Sequence, residues 1–190
     1  MAKLFLIKHA RPEVDPRTPS EQWRLGAAGR EGAERLAGRL SGRRFTRLYS
    51  SAEPKAVETA QTVARSMNLS VVQMGDLGEH DRRNVPHMES REFISMVALM
   101  FKEPGRRVLG NESADEAYGR FAAAVDGLLR ESGGADGGDV GIVTHGTVIS
   151  LFAQRRAGLE PFGLWRRMGL PSYIVLETEG WGVVEVCERV

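Results

Sequence analysis

The sequence predicts an α/β fold, a three-layer α/β/α sandwich with a mostly parallel central sheet. Short apolar segments of strand length alternate with longer segments whose apolar residues recur at helical spacing. The apolar run at residues 4–7 is typical of a strand that is buried on both faces of a parallel sheet. A chain of 190 residues, 42% of them hydrophobic, is long enough to form one full core. We therefore expect a single domain over residues 1–190.

Strands and helices alternate in the first part of the chain. The predicted elements are strands over residues 4–7, 45–50 and 69–74, a helix over residues 26–41 and a helix that begins at Pro54. In the first helix, Ala33, Leu36 and Leu40 lie on one face, as the helical period requires. Pro54 suits a first helical position, where no backbone donor is needed. A strand-helix-strand order of this kind indicates parallel strands.

The second part of the chain continues the pattern after a long loop. The predicted elements are helices over residues 89–102 and 147–157, a strand over 139–144, and a terminal hairpin or pair of edge strands over 173–176 and 183–186. A further helix begins at Ser113, because Ser113 and Glu116 match a capping box. The stretches 12–25 and 75–88 are predicted loops, and 132–138 is a predicted linker rich in Gly and Asp.

The charge balance gives no indication of a polyanionic partner. Lys and Arg total 26 against 25 Asp and Glu, so the net charge is +1. We expect neither nucleic-acid nor membrane binding, and an anion site has to be built locally. The lone cysteine, Cys187, fits a reducing compartment. No apolar run approaches the length of a membrane span, so we expect a cytoplasmic protein.

Histidines follow two of the predicted strands. His9 comes after the first strand and His145 after the strand that ends at Thr144. Another strand ends at Ser50 and leads into the helix that carries Lys55. Because parallel strands gather their carboxyl ends at one edge of a sheet, these groups are expected to converge there.

Two imidazoles, nearby lysines and the backbone amides of a helix start would suit a phosphate group. One imidazole could attack phosphorus while the surrounding donors stabilise charge on the phosphoryl oxygens. The leaving alkoxide needs a proton, and Glu79 in the long loop is the nearest candidate for the general acid.

Several motifs resemble those of the histidine phosphatase superfamily, which includes the cofactor-dependent phosphoglycerate mutases. They are Leu6-Ile7-Lys8-His9-Ala10, Leu25-Gly26-Ala27-Ala28-Gly29-Arg30, Tyr49-Ser50-Ser51 with Lys55-Ala56-Val57-Glu58-Thr59-Ala60, Leu77-Gly78-Glu79, Asn111-Glu112-Ser113 and Thr144-His145-Gly146. They occur in the order that the family has and extend over nearly the whole chain.

The resemblance implies a metal-independent phosphomonoesterase that needs no cofactor. By the resemblance, His9 is the nucleophile that accepts the phosphoryl group, and Glu79 is the general acid. His145, Lys8 and Lys55 would be the remaining members of the phosphate pocket. The expected substrate is a small phosphorylated metabolite.

The chain departs from the family pattern at two positions. Lys8 and Lys55 stand where the family usually has arginine. Lysine keeps the charge but cannot make the planar, bidentate contact of a guanidinium. Arg11 is a candidate to restore that contact. The alternative function is therefore a protein that binds or senses a phosphorylated ligand with little or no turnover.

Other interpretations carry less weight. A mutase is less favoured because the chain is short for that branch. The cluster Glu79-His80-Asp81 lacks a partner pair at metal-ligand spacing, so no metal is expected. His80 and His87 are predicted to be surface loop residues. Trp23, Phe162 and Trp165 are candidates either for a substrate mouth or for packing.

Overall fold

The computed structural model describes residues 2–86, 88–132 and 138–190, which form helices around a six-stranded sheet. The strands are β1 (Lys3–Lys8), β2 (Phe45–Ser51), β3 (Val71–Met74), β4 (Asp139–Thr144), β5 (Ser172–Glu177) and β6 (Val183–Cys187). The α-helices are α1 (Ala27–Leu40), α2 (Pro54–Met67), α3 (Ser90–Lys102), α4 (Ala114–Glu131), α5 (Gly146–Ala157) and α6 (Pro161–Arg167). Two short 3-10 helices cover Ser20–Gln22 and Gly75–Leu77.

The sheet has the strand order β3-β2-β4-β1-β5-β6. Strands β3, β2, β4 and β1 are parallel to one another, whereas β5 and β6 form an antiparallel hairpin joined to β1. The predicted mostly parallel sheet is confirmed, and the terminal segments form the hairpin alternative.

Helices cover both faces of the sheet because alternate residues of β1 point in opposite directions. Leu4 and Leu6 pack in one core with residues of α4 and α5. Phe5 and Ile7 pack in a second core with residues of α1 and α2. This arrangement is the predicted three-layer α/β/α sandwich.

The crevice beside β1 and β4 lies where the chain changes sides of the sheet. These two strands are neighbours, and Lys8 pairs with Thr144 at their carboxyl ends. Helix α1, which follows β1, packs on one face, and α5, which follows β4, packs on the other. In open α/β sheets such a switch point leaves a crevice beyond the strand ends, where ligands bind.

Helix α6 was not predicted. Its seven residues are too few to show a helical period. The helix start is nevertheless specified locally, because Pro161 occupies an early helical position and the Glu160 carboxylate accepts hydrogen bonds from the first free amides.

Smaller differences concern boundaries. Strand β3 begins at Val71, two residues later than predicted, and the loop 75–88 starts with a 3-10 helix. Residues 133–137 of the predicted linker and His87 lie outside the described residues. Within the described part of the chain, every helix is too short or too polar to span a bilayer.

Candidate active site

His9 and His145 lie side by side at the carboxyl edge of the sheet. Each residue directly follows its strand, and the His9 backbone amide extends the β1–β4 pairing by donating to the Thr144 carbonyl at 3.0 Å. The centres of the two imidazole rings are 5.1 Å apart, with the planes inclined at 62°. Both rings are buried, with residue exposures of 7% and 0%. The structure therefore brings the two predicted histidines together.

The His9 ring is held in a single tautomer. Its Nδ1 atom lies 2.7 Å from the Ala10 carbonyl oxygen. Because a carbonyl only accepts, Nδ1 carries the proton, and Nε2 of the neutral ring keeps a free lone pair. Burial lowers the pKa of His9 well below its ordinary value, and the charges of Lys55 and Lys8 lower it further. His9 is thus a neutral imidazole at neutral pH, as a nucleophile must be.

The His145 ring is bound to the end of β2 and the turn after it. Its Nε2 atom lies 2.9 Å from Oγ of Ser51 and 3.1 Å from Oε1 of Glu53. Burial, followed by the charge of Lys55, lowers the pKa of His145 to about 3. A neutral ring that donates from Nε2 to the Glu53 carboxylate has an unprotonated Nδ1, and this buried atom lacks a partner among the described residues.

Glu53 is a member of the site that was not predicted from the sequence. Its carboxylate accepts from Lys55 Nζ at 2.5 Å and from the backbone amide of Glu79 at 2.9 Å, in addition to its contact with His145. Glu53 immediately precedes Pro54 in the turn between β2 and α2, which is the signal that could have pointed to it. The carboxylate connects the second histidine, a lysine and the loop of the candidate acid.

Lys8 is partly buried at the end of β1, directly before His9. Its Nζ atom donates to the Met168 carbonyl at 2.7 Å. A Cβ atom at Gly146 would lie 3.1 Å from Cε of Lys8, so the glycine leaves room for this side chain. Burial lowers the pKa of Lys8 to about 8, although the Glu79 carboxylate opposes that shift. Lys8 is therefore a cation whose charge is lost at mildly alkaline pH.

Lys55 is also buried, with a residue exposure of 6%. Besides its ion pair with Glu53, its Nζ atom donates to the Ser20 carbonyl at 2.6 Å. Glu53, its ion-pair partner, also contacts Nε2 of His145, and the charge of Lys55 lowers the pKa of both His9 and His145. Lys55 thus reaches the site, but a carboxylate of the protein already neutralises it.

The helix start near Ser51 does not offer the free amides expected from the sequence. The backbone amide of Glu53 donates to Oγ of Ser51 at 3.2 Å. That of Lys55 donates to the Trp23 carbonyl at 3.1 Å. A carbonyl of the loop before α1 therefore accepts from a backbone amide that was expected to donate to an anion.

Glu79 lies in the loop after the second 3-10 helix, and its carboxylate faces the site. Oε1 accepts from the His80 amide at 2.8 Å, and Oε2 accepts from the Thr147 amide at 3.3 Å. Burial acts to raise the pKa of Glu79, but the charge of Arg82 and the hydrogen bond from the His80 amide bring it below its ordinary value. Glu79 is accordingly a carboxylate when no substrate is bound.

Arg120 of α4 fixes the position of the Glu79 loop. Its guanidinium donates to the carbonyls of Asp76, Gly78 and Glu79 at 2.8–3.1 Å and pairs with the Glu112 carboxylate at 2.6 Å. A single arginine in a helix carries no sequence signal for such a role, and Arg120 was not predicted to belong to the site.

Arg82 is a further cation that was not predicted from the sequence. Its Nη2 atom donates to Oγ1 of Thr147 at 2.5 Å and lies 3.9 Å from Oε2 of Glu79. The guanidinium carbon lies 5.1 Å from the centre of the Phe93 ring. It comes three residues after Glu79, but a charged residue in a long loop is not distinctive in sequence.

Two predictions about the surroundings of the site differ from the structure. Arg11 is exposed to solvent, so the structure does not support its predicted place in the phosphate pocket. His80 is not a surface residue: its exposure is 2%, and Nε2 lies 2.8 Å from the Glu112 carbonyl oxygen. The loop folds inward here because Arg120 and Glu112 bind its backbone.

Aromatic side chains pack beside Arg82. Phe93 of α3 lies 6.0 Å from Trp165 of α6, measured between ring centres, and Trp165 stacks with Phe162 at 6.2 Å. All three pack against one hydrophobic cluster. Trp23 instead donates from its indole to the Asp15 carbonyl at 3.0 Å.

The described residues contain no group of three or more His, Cys, Asp or Glu side chains arranged to hold a metal ion. The positive charge of the site comes from Lys8, Lys55 and Arg82. Cations around two neutral imidazoles, each with an unprotonated nitrogen, suit an anionic group that undergoes nucleophilic attack.

The fold and the site define an α/β protein with a histidine pair at the switch point of its sheet. The chain belongs to the histidine phosphatase superfamily (branch 1), whose family model matches residues 4–187. No curated protein matches the chain significantly.

Solved structures share the fold at low sequence identity. A mycobacterial glucosyl-3-phosphoglycerate phosphatase is 19% identical with a TM-score of 0.80, covering 100% of this chain and 99% of that one. YhfR of Bacillus stearothermophilus is 24% identical with a TM-score of 0.78, covering 100% and 98%. A mutant phosphoserine phosphatase from Entamoeba histolytica, in complex with phosphoserine, is 17% identical with a TM-score of 0.79, covering 98% and 97%.

Proposed function

We propose that this protein is a metal-independent phosphomonoesterase that acts through a phosphohistidine intermediate on a small phosphorylated metabolite. The observation that carries the proposal is the state of His9. Its Nδ1 is engaged by a carbonyl, its Nε2 is free, and His145 lies 5.1 Å away between ring centres. Membership of the family and neighbours that are named as phosphatases support the same reaction.

In the first step, Nε2 of His9 attacks phosphorus, the bond to the ester oxygen breaks, and Glu79 gives that oxygen its proton. In the second step, water attacks the phosphohistidine, Glu79 takes a proton from it, and inorganic phosphate leaves. Lys8 stabilises the charge on the phosphoryl oxygens during both steps.

The protonation state of Glu79 is compatible with this cycle. In the free protein, the nearby positive charges keep it ionised. A phosphate dianion that binds beside it adds negative charge, and this raises the pKa of the carboxyl group. A substrate monoanion can also bring the proton with it. The proposed cycle requires Glu79 to be protonated in the complex, and either route supplies that proton.

Trapping the intermediate tests the proposal. After acid quench with phosphate-labelled p-nitrophenyl phosphate, the protein should carry an acid-labile, alkali-stable label. His9→Ala should lose that label, and His80→Gln, which changes a buried histidine outside the pair, should keep it. A label that persists in folded His9→Ala would exclude His9 as the nucleophile.

Chelation tests the independence from metal. Turnover should be unchanged after exhaustive treatment with EDTA, because the proposed mechanism draws its positive charge from side chains. Loss of turnover that one added divalent cation restores would contradict the proposal.

A second function, the binding of a phosphorylated ligand with little turnover, is favoured by one observation. The Glu53 carboxylate contacts Lys55 and His145, two groups that the family resemblance assigns to the phosphate. Steady release of p-nitrophenol over many turnovers supports the phosphatase. Phosphate binding without such release supports the second function.

A further inference from the structure

We propose that Arg82 binds the phosphoryl group directly and supplies the bidentate guanidinium contact that Lys8 and Lys55 lack. The inference rests on the proposed function in one respect, namely that the ligand of the site is a phosphate ester. It assigns a specific binding residue that the family motifs in this sequence do not include.

The guanidinium of Arg82 lies inside the site. Its side chain is 15% exposed, and Nη2 reaches both Thr147 Oγ1 at 2.5 Å and Glu79 Oε2 at 3.9 Å. Thr147 belongs to the first turn of α5, directly after His145. Arg82 therefore faces the same helix start as the second histidine and stands next to the candidate acid.

The guanidinium of Arg82 has a hydrogen-bond donor without a partner among the described residues. Nε is fully buried and finds no hydrogen-bond partner within the described part of the chain. Nη2 lies 3.9 Å from Oε2 of Glu79, which is at the limit for an ion pair. The guanidinium can therefore still bind another anion. A buried donor without a partner is costly, and a phosphate oxygen that reaches this edge of the guanidinium as it shifts on binding would satisfy it.

The guanidinium is also held in place before any ligand binds. It lies over the Phe93 ring at 5.1 Å, and Phe93 is supported by Trp165 at 6.0 Å. Stacking on an aromatic face fixes the plane of an arginine and leaves its edge free to donate. An arginine that is already oriented loses little entropy when it binds an anion.

The other arginines near the site either bind other protein groups or are exposed to solvent. Arg83 pairs with Asp81 at 2.6 Å and has a side chain that is 68% exposed. Arg120 is occupied by loop carbonyls and Glu112. Arg11 is exposed. Arg82 is thus the arginine whose burial, orientation and free donor suit a phosphate group.

The test compares Arg82→Met and Arg82→Lys with the matched control Arg83→Met. Calorimetry with inorganic phosphate measures binding, and p-nitrophenyl phosphate hydrolysis gives kcat and KM. We expect Arg82→Met to weaken phosphate binding at least tenfold and to lower kcat/KM about a hundredfold. Arg82→Lys should recover only part of the binding, because it keeps the charge but not the bidentate contact. Arg83→Met should resemble the wild type.

The outcomes separate this inference from the proposed function. If the wild type binds phosphate without turning over ester, the proposed function fails, and weaker binding in the Arg82 variants still supports the inference. If folded Arg82 variants bind phosphate as the wild type does, the inference fails, even where the KM for the ester rises. Failure of the wild type to bind phosphate would also overturn it.

Discussion

Oε1 of Glu53 lies 3.1 Å from Nε2 of His145, so a carboxylate occupies one side of the second histidine. The other oxygen of Glu53 contacts Lys55. A carboxylate and a phosphate carry the same sign of charge and accept from the same donors. Glu53 therefore competes with a bound phosphate for Lys55 and His145.

The first prediction is that Glu53→Gln tightens the binding of inorganic phosphate about tenfold. The amide keeps the size of the side chain but removes a negative charge, which at a few ångströms from a dianion is worth more than 1 kcal/mol in a partly screened site. Isothermal calorimetry at low salt measures the change. Glu34→Gln is the matched control, since Glu34 has a side chain that is 68% exposed.

Weaker phosphate binding in Glu53→Gln would contradict this interpretation. It would show that Glu53 serves to position Lys55 and His145 for the ligand. Unchanged binding would show that the ligand never approaches the carboxylate.

The second prediction concerns Glu79 as general acid. Glu79→Gln should lower kcat for an alkyl phosphate by a hundredfold or more and should affect p-nitrophenyl phosphate much less, because a good leaving group needs little protonation. The ratio of the two rates is the informative quantity, since a change in loop position would reduce both. Equal losses for both esters would argue against the role.

The histidine pair could be predicted from the sequence because both residues directly follow apolar strands. The order of the strands in the sheet could not be predicted. The structure shows that β1 and β4 are parallel neighbours, which explains why His9 and His145 meet. Glu53 and Arg82 could not be predicted in the same way. Their roles depend on where two loops place single charged side chains, and loop paths are not encoded in any period.

The elements of the fold could likewise be predicted where the sequence has a periodic pattern or a capping motif. Periodic segments such as α1 and β4 were located closely, and the capping box at Ser113 marked the start of α4, as the structure shows. The short helix α6 and the burial of His80 depend on tertiary contacts. His80 is buried because Arg120 and Glu112 bind its loop, and these partners lie more than 30 residues away.

The third prediction is that acid destabilises the protein through its buried histidines. Burial lowers the pKa of His145 from 6.5 to about 3, and it also lowers that of His9. Below pH 6.5 the unfolded chain binds protons that the folded protein does not, so stability falls as the pH falls. Each histidine contributes up to about 1.4 kcal/mol per pH unit.

Urea unfolding at pH 7.5, 6.0 and 5.0 measures this dependence. His145→Gln should unfold with a shallower dependence on pH, whatever its stability at pH 7.5, because one buried group no longer titrates. An identical dependence in the variant and the wild type would show that His145 is protonated within the folded protein.

The fourth prediction uses the lowered pKa of Lys8, which is about 8. Lys8 is a cation below that pH and neutral above it, so its contribution to phosphate binding is present at pH 7 and is lost between pH 8 and 9. Free phosphate is a dianion throughout that range, and its own ionisation does not explain a loss. We expect the association constant for phosphate to fall across this interval.

Lys8→Arg gives the decisive comparison, because arginine stays charged at pH 9. The variant should show no fall in phosphate association between pH 8 and 9, even if the larger side chain binds phosphate less tightly at pH 7. That lower affinity is itself expected, since Nζ of Lys8 fits between the Met168 carbonyl and Gly146, and a guanidinium would crowd this space. A fall of the same size in Lys8→Arg and in the wild type would assign the alkaline loss to another group. Tighter binding by Lys8→Arg at pH 7 would show that the site has not adapted to lysine.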